Sequence, residues 1–151
     1  MIAPPSILSI IDFSESSKDA LKWAIGMAEK LNVHLMILHP YRLNQIEKKE
    51  DMVGVKKKID NAATKNFEEI SFGLLNKRKI PFDFRPEVGF IQDRVQEYAR
   101  RNNILFVVIG TNMAIENKEI LEELVKETET PFVLVPEVTK GKHFEALHGA
   151  H

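Results

Sequence analysis

Cysteine is absent from this sequence of 151 residues, which excludes a disulfide scaffold, thiolate metal ligands and thiol catalysis. Long hydrophobic runs are absent too, because no apolar stretch approaches the ~18 residues that suggest a membrane span. The N-terminal segment MIAPPSILSI has no basic residues, and Asp12 interrupts the apolar run that follows, so we expect no signal peptide. Together these features predict a cytoplasmic protein.

Neither sign of charge dominates the chain. Lys and Arg number 21 against 22 Asp and Glu, giving a formal net charge of −1, so no general field attracts nucleic acid or anionic lipid. The run LNQIEKKEDMVGVKKK, residues 43–58, has charges that nearly cancel, which is typical of a solvated approach to a helix. We therefore expect neither nucleic acid nor a membrane as a partner.

Five short apolar runs predict β-strands. Three of them are nearly continuous in aliphatic residues, as in strands buried on both faces of a parallel sheet. The run FDFRPEV alternates and contains Pro86, which has no N–H for a ladder, so it predicts an edge strand. The five runs are SILSII (6–11), VHLMILH (33–39), FDFRPEV (82–88), ILFVVIG (104–110) and PFVLVP (131–136).

Apolar residues between these runs recur at helical spacing and predict four helices. Ser14 or Ser16 is placed to cap the first, with Ser16 and Asp19 approximating a capping box, and Asn117 is placed to cap the fourth. The helices are expected over residues 16–31, about 51–79, around 91–99, and after 117.

The alternation of strands and helices predicts one α/β domain, a Rossmann-like three-layer fold with a five-stranded parallel sheet and right-handed crossovers. We place this domain at residues 1–137 and interpret residues 138–151 as a C-terminal tail. The tail carries His143, His148 and His151, whose spacing does not predict a metal site.

Three segments resemble the universal stress protein family. They are ILSIIDFSESSKDALKWAIGMAEKLNVHLMILHP (7–40), VGFIQDRVQEYARRNNILFVVIGT (88–111) and ETPFVLVP (129–136), and the likeness spans residues 6 to 137. The resemblance implies strand order 3-2-1-4-5, with the topological switch point between the first and fourth strands. Asp12 and Gly110 would then flank a ligand crevice.

The segment after the fourth predicted strand departs from the glycine motif of the ATP-binding branch of that family. Gly110 matches the first glycine, but Met113 stands in place of the second, and Lys118 and Glu119 stand where the branch has Gly-Ser or Gly-Thr. The expected loop between Gly110 and the helix after Asn117 is also shorter than the motif requires. A phosphate would lose close backbone approaches and meet the carboxylate of Glu119.

Pro40 is a further departure, since the family has a residue there whose backbone faces the adenine and proline has no N–H to donate. The residues that the resemblance assigns to a nucleotide site in this chain are Asp12, Pro40, Gly110, Thr111, Asn117 and Lys118. With the glycine motif degenerate, we expect no cofactor, and ATP is the disfavoured alternative.

Two crevice residues have alternative interpretations. Asp12 either contacts a ribose or nucleotide edge, as the family implies, or caps the serine-rich turn before the first helix. His39 ends the second strand near Asp12 and could act as a base oriented by that carboxylate, with Ser14 as the only candidate nucleophile. A small α/β enzyme is therefore a further hypothesis.

The leading hypothesis is a universal stress protein acting as a non-enzymatic regulatory dimer in the stress response, with an unknown protein partner. The alternative is an adenine-nucleotide-binding switch or slow ATPase. The dimer is predicted at PFVLVP, residues 131–136, because an apolar strand at a sheet edge invites pairing, and the family resemblance implies pairing with its symmetry mate.

Overall fold

The computed structural model describes residues 3–43, 52–76 and 78–138. In these residues strands and helices alternate, except that two helices stand between the last two strands. The elements are β1 (Pro5–Ile10), α1 (Glu15–Leu31), β2 (His34–Tyr41), α2 (Met52–Leu75), β3 (Phe82–Val88), α3 (Ile91–Arg101), β4 (Asn103–Gly110), α4 (Thr111–Glu116), α5 (Lys118–Thr128) and β5 (Phe132–Val135).

The five strands form one parallel sheet in the order β3-β2-β1-β4-β5, which confirms the predicted fold class and strand order. The edge position of β3 agrees with the prediction from Pro86. β1 lies at the centre and pairs with β2 from Ser6–His34 to Ile10–Leu38. The other edge is β5, whose four residues pair with the end of β4.

Each face of the sheet carries its own hydrophobic core, because successive side chains of a strand point to opposite faces. On one face Ile7, Ile37 and Val108 pack with α1 and α2. On the other face Leu8, Leu38 and Ile109 pack with α3, α4 and α5. The three central strands are therefore buried on both faces, as their continuous apolar runs predict.

Helix α2 ends at Leu75, earlier than the predicted boundary near Lys79. Ile80 is 9% exposed and belongs to the core of the α1 face, and the carbonyl of Pro81 accepts a hydrogen bond from the Leu35 backbone at 3.0 Å. The residue before a proline is disfavoured in the helical region, so the chain is already extended here. The segment is thus the approach to β3.

Helix α4 was not predicted, since the residues between Gly110 and Asn117 were expected to form a loop. They form one short helix that begins at Thr111, directly after β4. Its inner side packs on the core of the α3 face through buried Ala114 and half-buried Met113. The burial of these two side chains accounts for helical structure where the turn residues favoured a loop.

Some predictions concern residues outside the described ranges. The histidines of the C-terminal tail and residues 44–51 of the charged run are among them. Within the described ranges, no helix is both long enough and apolar enough to span a membrane. The same ranges hold no group of three or more His, Asp or Glu side chains arranged to bind a metal ion.

Candidate functional site

A crevice of about 360 Å³ opens at the carboxyl ends of the central strands, at the switch point where β1 separates β2 from β4. Its walls come from the β1–α1 turn, the end of β2, the start of α3 and the α4–α5 junction. Among the residues that line it are Asp12, Pro40, Arg42, Phe90, Met113 and Glu116.

Asp12 is tied into the turn that starts α1. Its Oδ1 accepts hydrogen bonds from the Ser14 backbone at 3.0 Å and from the Ser14 hydroxyl at 2.6 Å, while its own N–H donates to Ser17 Oγ at 2.9 Å. Ser14 Oγ in turn accepts from the Ser17 backbone at 3.2 Å, which makes Ser14 the N-cap. Ser14 rather than Ser16 therefore caps α1, and the expected Ser16–Asp19 capping box was wrong.

Pro40 lies within β2 opposite Glu87 of β3, beyond the last pair between β2 and β1. The carbonyl of Leu38 accepts from Ile11, so Leu38 bonds toward β1. Backbone groups two residues apart in a strand point to the same side, so the nitrogen of Pro40 points to the side of β1, as Leu38 does. Since β1 has ended at this level, that nitrogen faces the crevice. It has no hydrogen to donate there.

His39 is held by the backbone instead of by a carboxylate. Its Nδ1 lies 2.9 Å from the carbonyl oxygen of Ile11, so Nδ1 is the protonated nitrogen that donates this bond. The ring also packs against Phe13, at 4.7 Å between centroids. Because Ser14 gives its hydroxyl hydrogen to Asp12, the described residues do not assemble a nucleophile, a base and an orienting carboxylate.

Tyr41 continues the row of rings from His39, with centroids 6.0 Å apart, and its hydroxyl donates to the carboxylate of Asp60 on α2. Burial, together with the hydrogen bond and charge of Asp60, raises the pKa of Tyr41. Burial alone would raise the pKa of Asp60, but hydrogen bonds from Lys56 and Tyr41 and the charge of Lys56 lower it. The pair therefore links β2 to α2 as a neutral phenol and a carboxylate.

Gly110 ends β4 and packs against the start of α1. A methyl group at its Cα would lie 2.5 Å from Ser16 Oγ and 2.9 Å from Ser16 O. Its φ of −71° is available to any residue, so the glycine is required by this close contact and not by a left-handed turn. Neither Gly110 nor Thr111 is among the residues that line the crevice.

The other two predicted site residues, Asn117 and Lys118, lie at the α4–α5 junction. Asn117 lines the crevice, but its Nδ2 donates to the Met113 carbonyl at 2.8 Å, so its side chain closes α4 and does not cap α5. Lys118 lies on another surface, the β5 groove described below. Glu116, and not Glu119, is the carboxylate of this junction that lines the crevice.

Arg42 and Phe90 are crevice residues that sequence reasoning missed. The Arg42 guanidinium lies 4.1 Å from the centroid of the Phe90 ring, a cation–π contact, and Phe90 is 52% exposed. Phe90 lies in a segment that resembles the family, but no role pointed to either residue, and they meet only because β2 and β3 end side by side. The one local signal is the Gly89–Phe90 step before α3, where Gly89 has a φ of +141°.

The β5 groove is an apolar groove between β5 and the helices α4 and α5, with a volume of about 550 Å³. Its most exposed apolar side chains are Ile115, Leu134 and Val125, which are 73%, 53% and 39% exposed. The groove is lined by Ala114, Ile115, Lys118, Leu121, Glu122, Val125, Pro131, Phe132 and Leu134. It lies at the edge strand for which the sequence predicts self-association.

Comparison with solved structures finds the same fold in universal stress proteins of several organisms. The Burkholderia pseudomallei protein matches with a TM-score of 0.66 at 16% identity, over 87% of this chain and 95% of that one. The Lactobacillus plantarum protein gives 0.68 at 14% identity, over 89% and 99%. An Archaeoglobus fulgidus protein, solved in complex with dAMP, gives 0.56 at 16% identity, also over 89% and 99%.

A comparison with curated protein sequences gave no match. The model of the universal stress protein family, in contrast, matches residues 5–136, which include every strand and helix described above. The structural matches show the fold alone, because their identities are only 14–16%. The family match covers most of the chain, and the chain belongs to the universal stress protein family.

Proposed function

We propose that this protein is a non-enzymatic regulatory member of its family, acting as a homodimer, and that its crevice does not hold a nucleoside triphosphate. The observation that carries the proposal is helix α4, which begins at Thr111 without a loop after β4. A triphosphate-binding loop needs backbone N–H groups that are free to surround the anion. Here the segment is a six-residue helix whose inner side is packed on the core, so it cannot fold around an anion as a loop does. The N–H groups of its first turn have no helical partner, but neither Gly110 nor Thr111 at its start lines the crevice.

The chemistry of the crevice supports the same conclusion. Met113 and Glu116 project from α4 into the lining, so a phosphate at this end would meet an apolar side chain and a carboxylate. Pro40 withholds a donor from the opposite wall. Arg42 is the cation of the lining, but its guanidinium lies over Phe90 on the wall that β2 and α3 form.

The homodimer is proposed at β5 and the β5 groove. β5 is an edge strand, and Leu134 is 53% exposed in the middle of it. An exposed apolar edge strand is a site at which chains pair, and two-fold pairing of the same strand closes the interface. Leu134, Val125 and Ile115 together extend the apolar surface from the strand to α5 and α4.

A second candidate function is binding of a nucleoside monophosphate as a switch. It is favoured by the crevice itself, which keeps Asp12 at its edge, and by the dAMP complex of the Archaeoglobus fulgidus relative. A monophosphate needs fewer backbone donors than a triphosphate does. The two candidates therefore predict different responses to ATP and to dAMP.

Thermal unfolding with added nucleotide separates these candidates. A ligand present at ~100 times its dissociation constant stabilises a protein by about 2.7 kcal/mol, which for this size raises Tm by roughly 5–10 °C. We expect no shift with millimolar ATP and magnesium, and none with sulfate as the anion control.

A saturable shift with ATP that sulfate does not give would contradict the proposal. A shift with dAMP alone, lost in the Met113→Trp variant that fills the crevice, would favour the monophosphate switch. Val53→Trp is the matched control, because Val53 is 80% exposed on α2 and does not line the crevice.

A further inference from the structure

A second cavity, the α3 cavity, lies under the C-terminal half of α3 and is separate from the crevice. Its volume is about 190 Å³, room for about six water molecules at ~30 Å³ each. This is smaller than the ~300 Å³ at which pockets for drug-sized ligands begin. It shares none of its lining residues with the crevice, and it includes Met36, Arg85, Glu87, Glu97, Tyr98 and Arg101.

Two cations and two carboxylates line this small volume. Glu97 is already paired, since its oxygens lie 2.9 Å from the guanidinium groups of Arg94 and Arg101. Arg85 lies 3.8 Å from Asp83, also interacts with the Tyr98 hydroxyl, and is about half exposed. The lining therefore offers both signs of charge, and Arg85 has donors to spare.

One carboxylate oxygen of Glu87 lacks a hydrogen-bond donor within the described part of the chain. Its Oε2 is buried and accepts no hydrogen bond from the residues that the structure describes. A buried carboxylate oxygen without a donor is costly and calls for a bound molecule or water that supplies one. Tyr98 is 7% exposed and faces Glu87 and Arg85, and burial with the hydrogen bond and charge of Glu87 raises its pKa to about 12. Tyr98 thus stays a neutral donor beside Glu87.

We propose that the α3 cavity binds a small zwitterion of amino-acid size, with its ammonium group on Glu87 and its carboxylate on Arg85. An anion alone would meet two glutamates, and a cation alone would meet two arginines, whereas a zwitterion satisfies both sets at once. The buried side chain of Met36 forms the apolar part of the lining against which a short aliphatic side chain fits.

The test is thermal unfolding of the full chain with L-alanine as the probe, at concentrations up to tens of millimolar. We expect a saturable rise in Tm of several degrees. Acetate and methylammonium each carry one of the two charges, and at the same ionic strength we expect neither to give that rise. Glycine betaine keeps both charges but has no N–H for Glu87, so we expect little effect from it.

Substitutions test whether alanine binds in the α3 cavity. Glu87→Gln keeps the shape but removes the charge that the ammonium needs, and we expect at least a tenfold weaker response to alanine. Asp93→Asn is the matched control, an exposed carboxylate at the other end of α3, and it should respond like the wild type. If Glu87→Gln does not fold, Arg85→Gln removes the charge that the carboxylate needs, at a side chain that is about half exposed, and the same weakening is expected.

Isothermal titration of the wild type with alanine provides an independent readout. No saturable signal, an equal response to acetate or methylammonium, or an unchanged response in Glu87→Gln would overturn the proposal. No signal would mean that the cavity holds only water. An equal response to acetate or methylammonium would mean that it binds a single charge, and an unchanged response in Glu87→Gln would mean that alanine binds without the charge of Glu87.

Discussion

The β1–α1 junction and the β5 groove are built in opposite ways. At the junction Asp12, Ser14 and Ser17 satisfy one another, and Ser16 and Ser17 are buried. In the groove apolar side chains from α4, α5 and β5 remain exposed. The junction is the place where the sequence resembles a nucleotide site, yet three of its polar side chains form hydrogen bonds within the junction, and the buried Ser16 Oγ has no hydrogen-bond partner among the described residues. The exposed apolar surface lies instead at the sheet edge.

Gly110→Ala should cause the largest effect, because it breaks the tight packing of the junction. The new methyl group would lie 2.9 and 3.0 Å from Ser16 O and C, which are backbone atoms that cannot rotate away. Overpacking of this kind costs about 3 kcal/mol, and Tm should fall by roughly 6–12 °C. Chemical denaturation measures the free energy of unfolding directly.

Gly73→Ala is the matched control for that variant. Gly73 lies in α2, and a methyl group there would have no atom within 4 Å. Alanine is favoured over glycine in a helix, so this change should be neutral or stabilise by up to ~1 kcal/mol. Equal losses in the two variants would show that the contact with Ser16 is not what requires a glycine at the end of β4.

Leu134→Lys should test the β5 groove, because it should separate the proposed dimer into monomers. The side chain is 53% exposed in the chain alone, so the monomer should keep its stability. A lysine at the centre of the paired strands would bury charge at the interface, and we expect dimer affinity to fall at least about tenfold. Sedimentation equilibrium at tens of micromolar protein measures this change.

Two further variants make the dimer test specific. Val53→Lys, on the exposed face of α2, should leave association unchanged. Val133→Lys is less suitable, because Val133 packs against the core of the α1 face and the change would also destabilise the monomer. A wild-type protein that sediments as a monomer at these concentrations would contradict the proposed homodimer.

The fold was predictable from the sequence because burial leaves a strong local signal. The runs at residues 6–11, 33–39 and 104–110 are nearly continuous in aliphatic residues, and the structure buries these strands between two helical layers. Helix α4 was missed because six residues are too few for a helical period to be visible beside Gly110 and Asn117.

The site was less predictable because its contacts join residues far apart in the chain. The close approach of Gly110 to Ser16 cannot be seen in either local sequence, and the resemblance to a glycine motif suggested a phosphate instead. Arg42 and Phe90 meet only through the ends of β2 and β3. Local reasoning did succeed at Ser14, one of the two serines proposed to cap α1, because capping depends on near neighbours.

Ser14→Ala should produce the smallest effect, a loss of about 1 kcal/mol from the missing N-cap, or roughly 2–4 °C in Tm. Ser71→Ala is the control, since its hydroxyl only donates to the Glu68 carbonyl on the exposed face of α2. The hydroxyl of Ser14 also donates to Asp12, so Ser14→Ala and Asp12→Ala remove parts of one hydrogen-bonded unit.

The two changes should therefore be non-additive, with a coupling of at least about 0.5 kcal/mol in a double-mutant cycle. Additive losses would mean that Asp12 does not depend on the serine turn. Its carboxylate would then be available to a ligand, and the junction would resemble a binding site more than the hydrogen bonds of the free protein indicate.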